Sequence, residues 1–137
     1  MENGSNPSRF IPTIKLEHAD SRGEIYSIEL PDGHEIMLLH STPGSLRGGH
    51  SHSCAEHVLM LSGRITYHIA DGLLNYPTET MWDYSTGDLI YHEAGVIHLG
   101  EFLEDTWLME YKLAKKGEWS QKDYEPYRSK VRKQNSA

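Results

Sequence analysis

The sequence predicts an all-β sandwich or barrel, on three observations. Short segments of alternating apolar and polar residues recur along most of the chain, Gly and Asp-Gly turns separate them, and only one stretch near the C-terminus has a helical pattern. A chain of 137 residues makes one domain. It is long enough to bury a single core, withdrawing roughly two-thirds of its unfolded surface from water.

The elements follow in order. Residues 1–9 are polar, contain Gly and Pro, lack periodicity and read as disordered. Residues 10–16 form the first expected strand, free to pair within its own chain or to join a partner's sheet. Residues 20–23 are a turn, 24–30 alternate as a strand should, and Asp32-Gly33 is a hairpin signal. Residues 35–41 are the next strand, which Pro43-Gly44 ends. A short strand over 48–53 carries His50 and His52, and residues 57–61 are apolar and expected to be buried. Gly63 turns the chain into a strand over 64–70, and Asp71-Gly72 turns it again. Residues 73–86 are the least defined, with Trp82 and Tyr84 on an edge strand. Strands over 87–92, 96–103 and 106–113 complete a barrel spanning 10–113. The helical pattern covers 121–133, inside a short helical or extended tail at 114–137.

Charge divides the chain. Residues 1–111 carry five Lys/Arg against 17 Asp/Glu, a net −12, whereas 112–137 carry eight against three, a net +5. A basic tail is able to meet nucleic acid, but the acidic body repels phosphates, so the tail is expected to lie against its own barrel or a partner subunit. No stretch of 18 apolar residues exists to span a membrane. The N-terminus lacks the basic-then-apolar layout of a signal peptide. Cys54 is the single cysteine. A reducing, cytoplasmic setting is the expectation.

His50, His52, Glu56 and His98 carry the chemistry. The first three fall within seven residues, and on a strand His50 and His52 point the same way because side chains alternate with period two. Three imidazole nitrogens and one carboxylate oxygen suit one divalent transition metal, Fe(II), Mn(II), Ni(II), Co(II) or Zn(II).

Their spacing carries a family resemblance. Gly44-x5-His50-x-His52-x3-Glu56-x6-Gly63 resembles the first cupin motif at every defined position. Gly87, Gly95 and His98 match the glycines and histidine of the second, while Glu93 replaces its proline and Phe102 its asparagine. The resemblance spans residues 24–111. It implies a cupin-type double-stranded β-helix, a jelly-roll barrel, with one metal held by those four side chains and open positions facing the barrel mouth. It also implies a homodimer. A shorter likeness joins residues 20–24 and 47–52 to cupins that modify nucleotide-sugars, from which the complete four-ligand set departs.

Other residues hold two readings each. Arg47, three residues before His50, either clasps a substrate carboxylate or phosphate or pairs with a neighbouring acid at the surface. His40 is expected on the pocket wall beside Leu38 and Ile36, where it is a candidate general base. Tyr67 is a candidate for catalysis, though of Tyr67 and His68, as of Tyr91 and His92, only one member faces inward. Glu101 is expected to point outward, and Glu110 and Tyr111 are undetermined. His57 is expected to pack behind the site. Met60, Trp82, Phe102 and Trp107 fill the core or line an apolar pocket. Cys54 is a packing residue or a redox neighbour of the metal. Gly48-Gly49 marks a bulge or a close backbone approach.

The expected function is that of a metal-dependent enzyme. Its substrate is a small oxygen-rich molecule that chelates through a carboxylate, carbonyl or hydroxyl, and its reaction is that of a dioxygenase or of a redox-neutral isomerase or lyase. The other class is a non-catalytic, metal-stabilised binding module, and one fold hosts both.

Overall fold

The computed structural model describes residues 6–70 and 78–135, so the expectations for residues 1–5, for the Asp71-Gly72 turn and for residues 73–77 lie outside it. Eleven strands precede one helix among the described residues. They are β1 (Ile14–Asp20), β2 (Gly23–Glu29), β3 (Glu35–Ser41), β4 (Leu46–His52), β5 (Glu56–Ser62), β6 (Arg64–Ala70), β7 (Glu79–Ser85), β8 (Leu89–His92), β9 (Ile97–Phe102), β10 (Thr106–Lys112) and β11 (Gln121–Asp123), then α1 (Glu125–Asn135). One sheet runs β1-β2-β3-β10-β5-β8 and the other β11-β4-β9-β6-β7. This is a jelly roll of two antiparallel sheets, as the turn spacing predicts.

Alternation assigns each strand's faces. Val58 and Met60 on β5, Leu39 on β3, Leu108 on β10, Ile90 on β8 and Ile65, Tyr67 and Phe102 from the second sheet form the core between the sheets. The opposite face of the six-stranded sheet is apolar as well. Register places Ile14 and Leu16 beside Ile28 and Tyr26, these beside Ile36 and Leu38, and these in turn beside Tyr111 and Met109. Leu59, Leu61, Leu89 and Tyr91 extend the same face. Ile14, Leu16, Leu61, Leu89 and Tyr91 are exposed on it, and α1 packs on β4 of the other sheet.

Two elements differ from expectation. The first strand starts at Ile14 rather than at residue 10, because Pro12 lacks a ladder donor; β1 then pairs with β2 of its own chain. In the tail, residues 121–123 are a strand beside β4, and the helix begins only at Glu125. Pro126 explains the boundary, since its fixed φ suits a first helical turn and disfavours helix before it. The tail lies against its own barrel: Tyr127 and Val131 are buried with Ala70, Ile97 and Leu99. Trp82 and Tyr84 fall on edge strand β7 as expected.

Gly63, the last glycine of the first motif, has φ +96°. A Cβ there would lie 2.3 Å from Thr106 Oγ1 and 2.6 Å from the Asp105 carbonyl oxygen. Only glycine lets the β5–β6 turn press against the start of β10, which keeps β5 in register with its neighbour.

Candidate metal centre

Two short rows of side chains, one on each sheet, face each other across the barrel. On the five-stranded sheet His50 of β4 pairs directly with His98 of β9, and a bulge between Gly48 and His50 sets the phase of the strand's last residues. His52, two residues on, shares the face. On the six-stranded sheet Glu56 opens β5 between two direct partners, Lys112 of β10 and His92 of β8. The Gly95 N–H donates to the His52 carbonyl at 2.9 Å, tying the second motif's turn to the first motif's histidines.

The donor atoms converge. The rings of His50, His52 and His98 lie with centroids 4.7–5.2 Å apart, and their nitrogens fall within 4.8 Å of one another. Glu56 Oε1 is 3.4 Å from His98 Nε2 and 3.7 Å from His52 Nδ1, while Oε2 is 3.4 Å from Lys112 Nζ. One carboxylate oxygen faces the imidazoles and the other faces the ammonium. His98 Nδ1 lies 3.2 Å from the Val96 carbonyl, which holds a proton on Nδ1 and leaves the Nε2 lone pair pointing inward.

The residues fit a cation. Glu56 is 1% exposed, yet its Oε1, like His50 Nδ1, has no hydrogen-bond partner among the described residues. Orphaned buried donors and acceptors are costly, about 1–3 kcal/mol each. A divalent ion that accepts nitrogen and carboxylate ligands satisfies such atoms. Burial, helped by His98, pushes the His50 imidazole down to about 3, and burial lowers His52 and His98 too, so these rings are neutral and their lone pairs free. Burial raises the Glu56 carboxyl, with Glu110 adding to the shift and Lys112 opposing it.

The histidines sit on the wall of a cavity of about 300 Å³. Arg47 lines it too. It is 8% exposed and donates from Nε to Ser41 Oγ at 2.7 Å and from Nη2 to the His40 carbonyl at 3.3 Å. Among the described residues no carboxylate forms an ion pair with it, unlike Arg22, whose partner is Asp20 at 2.7 Å. Arg128 of α1 donates to the Gly48 carbonyl at 2.7 Å, so the C-terminal helix closes this wall. A Cβ on Gly49 would meet Tyr127 and Arg128 at 3.0–3.1 Å, which accounts for the Gly48-Gly49 pair as close backbone approach beside a bulge.

The structure therefore brings His50, His52, His98, Arg47 and Tyr67 to one cavity, with Glu56 buried beside His52 and His98. It does not bring His40, contrary to the expectation that His40 lies on the pocket wall. Met37 and Leu39 face the cavity, so His40 takes the other face of β3. There it stacks on Trp107 at 4.7 Å and contacts Asp105 at 2.8 Å and Glu24 at 3.3 Å. Tyr67 is buried and His68 meets Glu101 at 3.1 Å outside the core; His92 is buried and Tyr91 exposed. Met60 and Phe102 are core, Trp82 is exposed, and Cys54 is a half-buried free thiol. Glu110, whose direction the sequence left undetermined, lines the cavity, as do Lys112 and Trp119, which the sequence did not single out. Trp119 meets His52 edge-on at 5.3 Å and carries Lys112 Nζ at 4.5 Å from its ring. Only the strand phase of β10 points to Glu110 and Lys112 beforehand, since both share the parity of buried Leu108.

Several solved structures share this architecture. The capsular polysaccharide assembling protein CapF from Staphylococcus aureus superimposes with a TM-score of 0.65 at 18% identity, over 86% of this chain and 34% of that one. An oxalate decarboxylase from Bacillus subtilis matches with a TM-score of 0.62 at 22% identity, over 82% and 30%. The vicilin from Solanum melongena, described with different anionic ligands in structurally similar pockets, matches with a TM-score of 0.65 at 11% identity, over 78% and 32%. The chain thus spans about a third of the length of the structures it matches. No family model matches the sequence, and neither does any curated protein sequence. The barrel is a cupin-type jelly roll, the fold that the two motifs imply.

The buried ionisable groups give the metal-free protein a distinctive pH dependence. The imidazoles of His50, His52, His92 and His98 are neutral when folded and take up protons on unfolding below their ordinary value of about 6.5. The unfolded state then binds more protons, so stability is lost as pH falls from about 6.5 toward 3. Glu56 acts oppositely: its raised value makes its contribution complete below about 4.3 and lost as pH rises through about 8. Four imidazoles outweigh one carboxyl, so the urea midpoint of chelator-treated protein should rise between pH 4 and 6.5 and decline between 6.5 and 8.5. A midpoint that is flat or falling over the acid limb would contradict these burial states.

Proposed function

We propose that the chain is a metal-dependent enzyme that holds a small anionic, oxygen-rich substrate between one divalent cation and Arg47 and moves a proton on it. Arg47 carries the reading. A guanidinium withdrawn from water with no carboxylate in ion-pair contact among the described residues is only partly offset by the more distant Asp20, Glu110 and Glu24, and it faces the same cavity as three histidines.

His50, His52, Glu56 and His98 would hold the ion. When bound, a divalent metal supplies Lewis-acid polarisation of a substrate oxygen. The chain's own groups do the rest. Arg47, already anchored by Ser41 and the His40 carbonyl, offers its remaining N–H groups to a carboxylate in a fixed orientation. Glu110 and Lys112 line the cavity; we assign the proton transfer to Glu110, while Lys112, held as an ammonium by Glu110 and Glu56, donates hydrogen bonds. Burial raises the Tyr67 phenol, which therefore stays protonated as a hydrogen-bond donor. This set of proton-handling groups favours a redox-neutral isomerase or lyase over a dioxygenase. The anions named for the oxalate decarboxylase and the vicilin pockets agree with an anionic substrate. The cavity volume, at the low end for ligand pockets, favours a small acid over a nucleotide-sugar.

The reading extends to a second copy of the chain as partner. The outer face of the six-stranded sheet is about 24 Å by 20 Å from strand spacing and rise, roughly 500 Å² before corrugation. That is more than half the area per partner of a standard interface, about 800 Å², and it matches the largest apolar patches of folded chains, roughly 300–600 Å², which are often functional. Sedimentation should report a dimer for the wild type and a monomer for Leu59→Glu combined with Tyr91→Glu. A monomeric wild type would remove this interface.

For the site itself, protein purified without added metal should contain about one transition-metal ion per chain, lost in His50→Ala combined with His98→Ala. Metal-loaded Arg47→Leu should bind oxalate or another small carboxylate about 10- to 100-fold more weakly, the loss expected for about 1.5–3 kcal/mol of charge-assisted hydrogen bonding. Full metal retention in the double variant, or equal carboxylate affinity in Arg47→Leu, would contradict the proposal. Turnover that requires dioxygen would move the reaction to the oxidative class.

A further inference from the structure

We propose that the C-terminal helix supplies the cavity with a second anion-binding guanidinium, Arg128, so that the substrate carries two acid groups, one for Arg47 and one for Arg128. The inference rests on the substrate reading above and deepens it by naming the class, a small diacid in place of a monoacid.

Charge on the cavity wall carries it. The chain has a formal net charge of −7, yet four cationic side chains, Arg22, Arg47, Lys112 and Arg128, line the cavity against one acid, Glu110. Two of the four have carboxylate partners: Arg22 meets Asp20 at 2.7 Å and Lys112 meets Glu56 at 3.4 Å. Among the described residues neither Arg47 nor Arg128 has a carboxylate in ion-pair contact. The acids nearest Arg128 in sequence are engaged elsewhere. Glu125 pairs with Arg132, and Asp123 is exposed and accepts from Gln121 Nε2 at 3.3 Å.

The backbone of β4 explains how a helix outside the barrel reaches its cavity. α1 packs on β4, and the half-buried Arg128 meets that strand at its two glycines. Its Nη1 donates to the Gly48 carbonyl at 2.7 Å, and a Cβ on Gly49 would lie 3.1 Å from its Cδ. Gly49 has φ +86°, so both its backbone and its lack of a side chain keep this passage open. One N–H is spent on Gly48; the fork of a guanidinium has five, which leaves donors for an anion.

The two guanidiniums hold different parts of the wall. Arg47 is drawn to the last residues of β3 by Ser41 Oγ and the His40 carbonyl, whereas Arg128 is tied to β4 two residues before His50. Leu39, Phe102 and Leu108 line the same cavity and give a hydrocarbon spacer an apolar surface. A diacid offers one anion to each guanidinium and its methylenes to that surface. A monoacid of the same length leaves one guanidinium unanswered, and this difference is the source of specificity.

Calorimetric titration of the metal-loaded full chain with glutarate and with pentanoate, at fixed ionic strength, tests the inference, because the two acids share a chain length and differ by one carboxylate. The wild type should bind glutarate at least about tenfold more tightly. Arg128→Gln keeps a donor for the Gly48 carbonyl and should bring the two acids within about twofold of each other, with pentanoate binding unchanged. Arg128→Met serves if the first variant fails to fold by circular dichroism. Equal affinity of the wild type for both acids would overturn the diacid class. A glutarate preference that survives Arg128→Gln, with glutarate still weakened by Arg47→Leu, would overturn the role of Arg128 and leave the reading of Arg47 standing. Equal weakening of both acids would make Arg128 a structural tie to β4 and overturn its place in recognition. Metal-loaded wild type that binds neither acid would overturn both readings.

Discussion

Glu56 is the group to which the rest of the site answers. A carboxyl group with 1% exposure has lost nearly all its hydration, and an unpaired buried charge costs several kcal/mol. Lys112 answers for Oε2, and its own burial is offset by that contact and by Glu110. Oε1 faces only imidazoles that burial keeps neutral. Without a cation between them, the carboxyl is driven toward its protonated form. With one, the same oxygen becomes a ligand. The most buried acid among the described residues and the cluster of neutral histidines are therefore one electrostatic arrangement.

The fold makes that arrangement possible. His50 and His98 come from strands 48 residues apart in sequence and become direct neighbours only because β4 and β9 pair. Glu56 reaches them from the other sheet because the β4–β5 connection crosses the barrel. Glycines hold the crossing tight: Gly48 and Gly49 shape the bulge and admit α1, and Gly63 presses β5 against β10. The C-terminal extension contributes β11 to the site's edge and α1 to its wall, so the basic tail is a structural part of the barrel.

Much of this was legible in the sequence, and most of the failures share a cause. The strand boundaries at Glu35–Ser41 and Arg64–Ala70 follow from turn signals on both sides. The glycine-framed spacing of His50, His52, Glu56 and His98 was sufficient to place all four in one cluster. His40 was misplaced because Ile36 and Leu38 look like inward residues when a strand is read alone. Both faces of the six-stranded sheet are apolar, so hydrophobicity does not report which side is the interior. The same ambiguity hid His92 behind Tyr91, and Glu110 with Lys112 behind Met109 and Tyr111. Register decides these cases, and register depends on which strands pair, which a single sequence does not display. Trp119 was missed for a different reason, since the tail containing it carries no strand pattern before Gln121.

The central claim is that one divalent cation sits between the two sheets at these side chains. Crystals of the metal-loaded protein, with diffraction recorded on either side of the metal's absorption edge, test it most directly. The account predicts a single anomalous peak per chain within bonding distance of nitrogens from His50, His52 and His98 and of Glu56 Oε1. No peak in the barrel, or a peak held only by surface carboxylates, would contradict it.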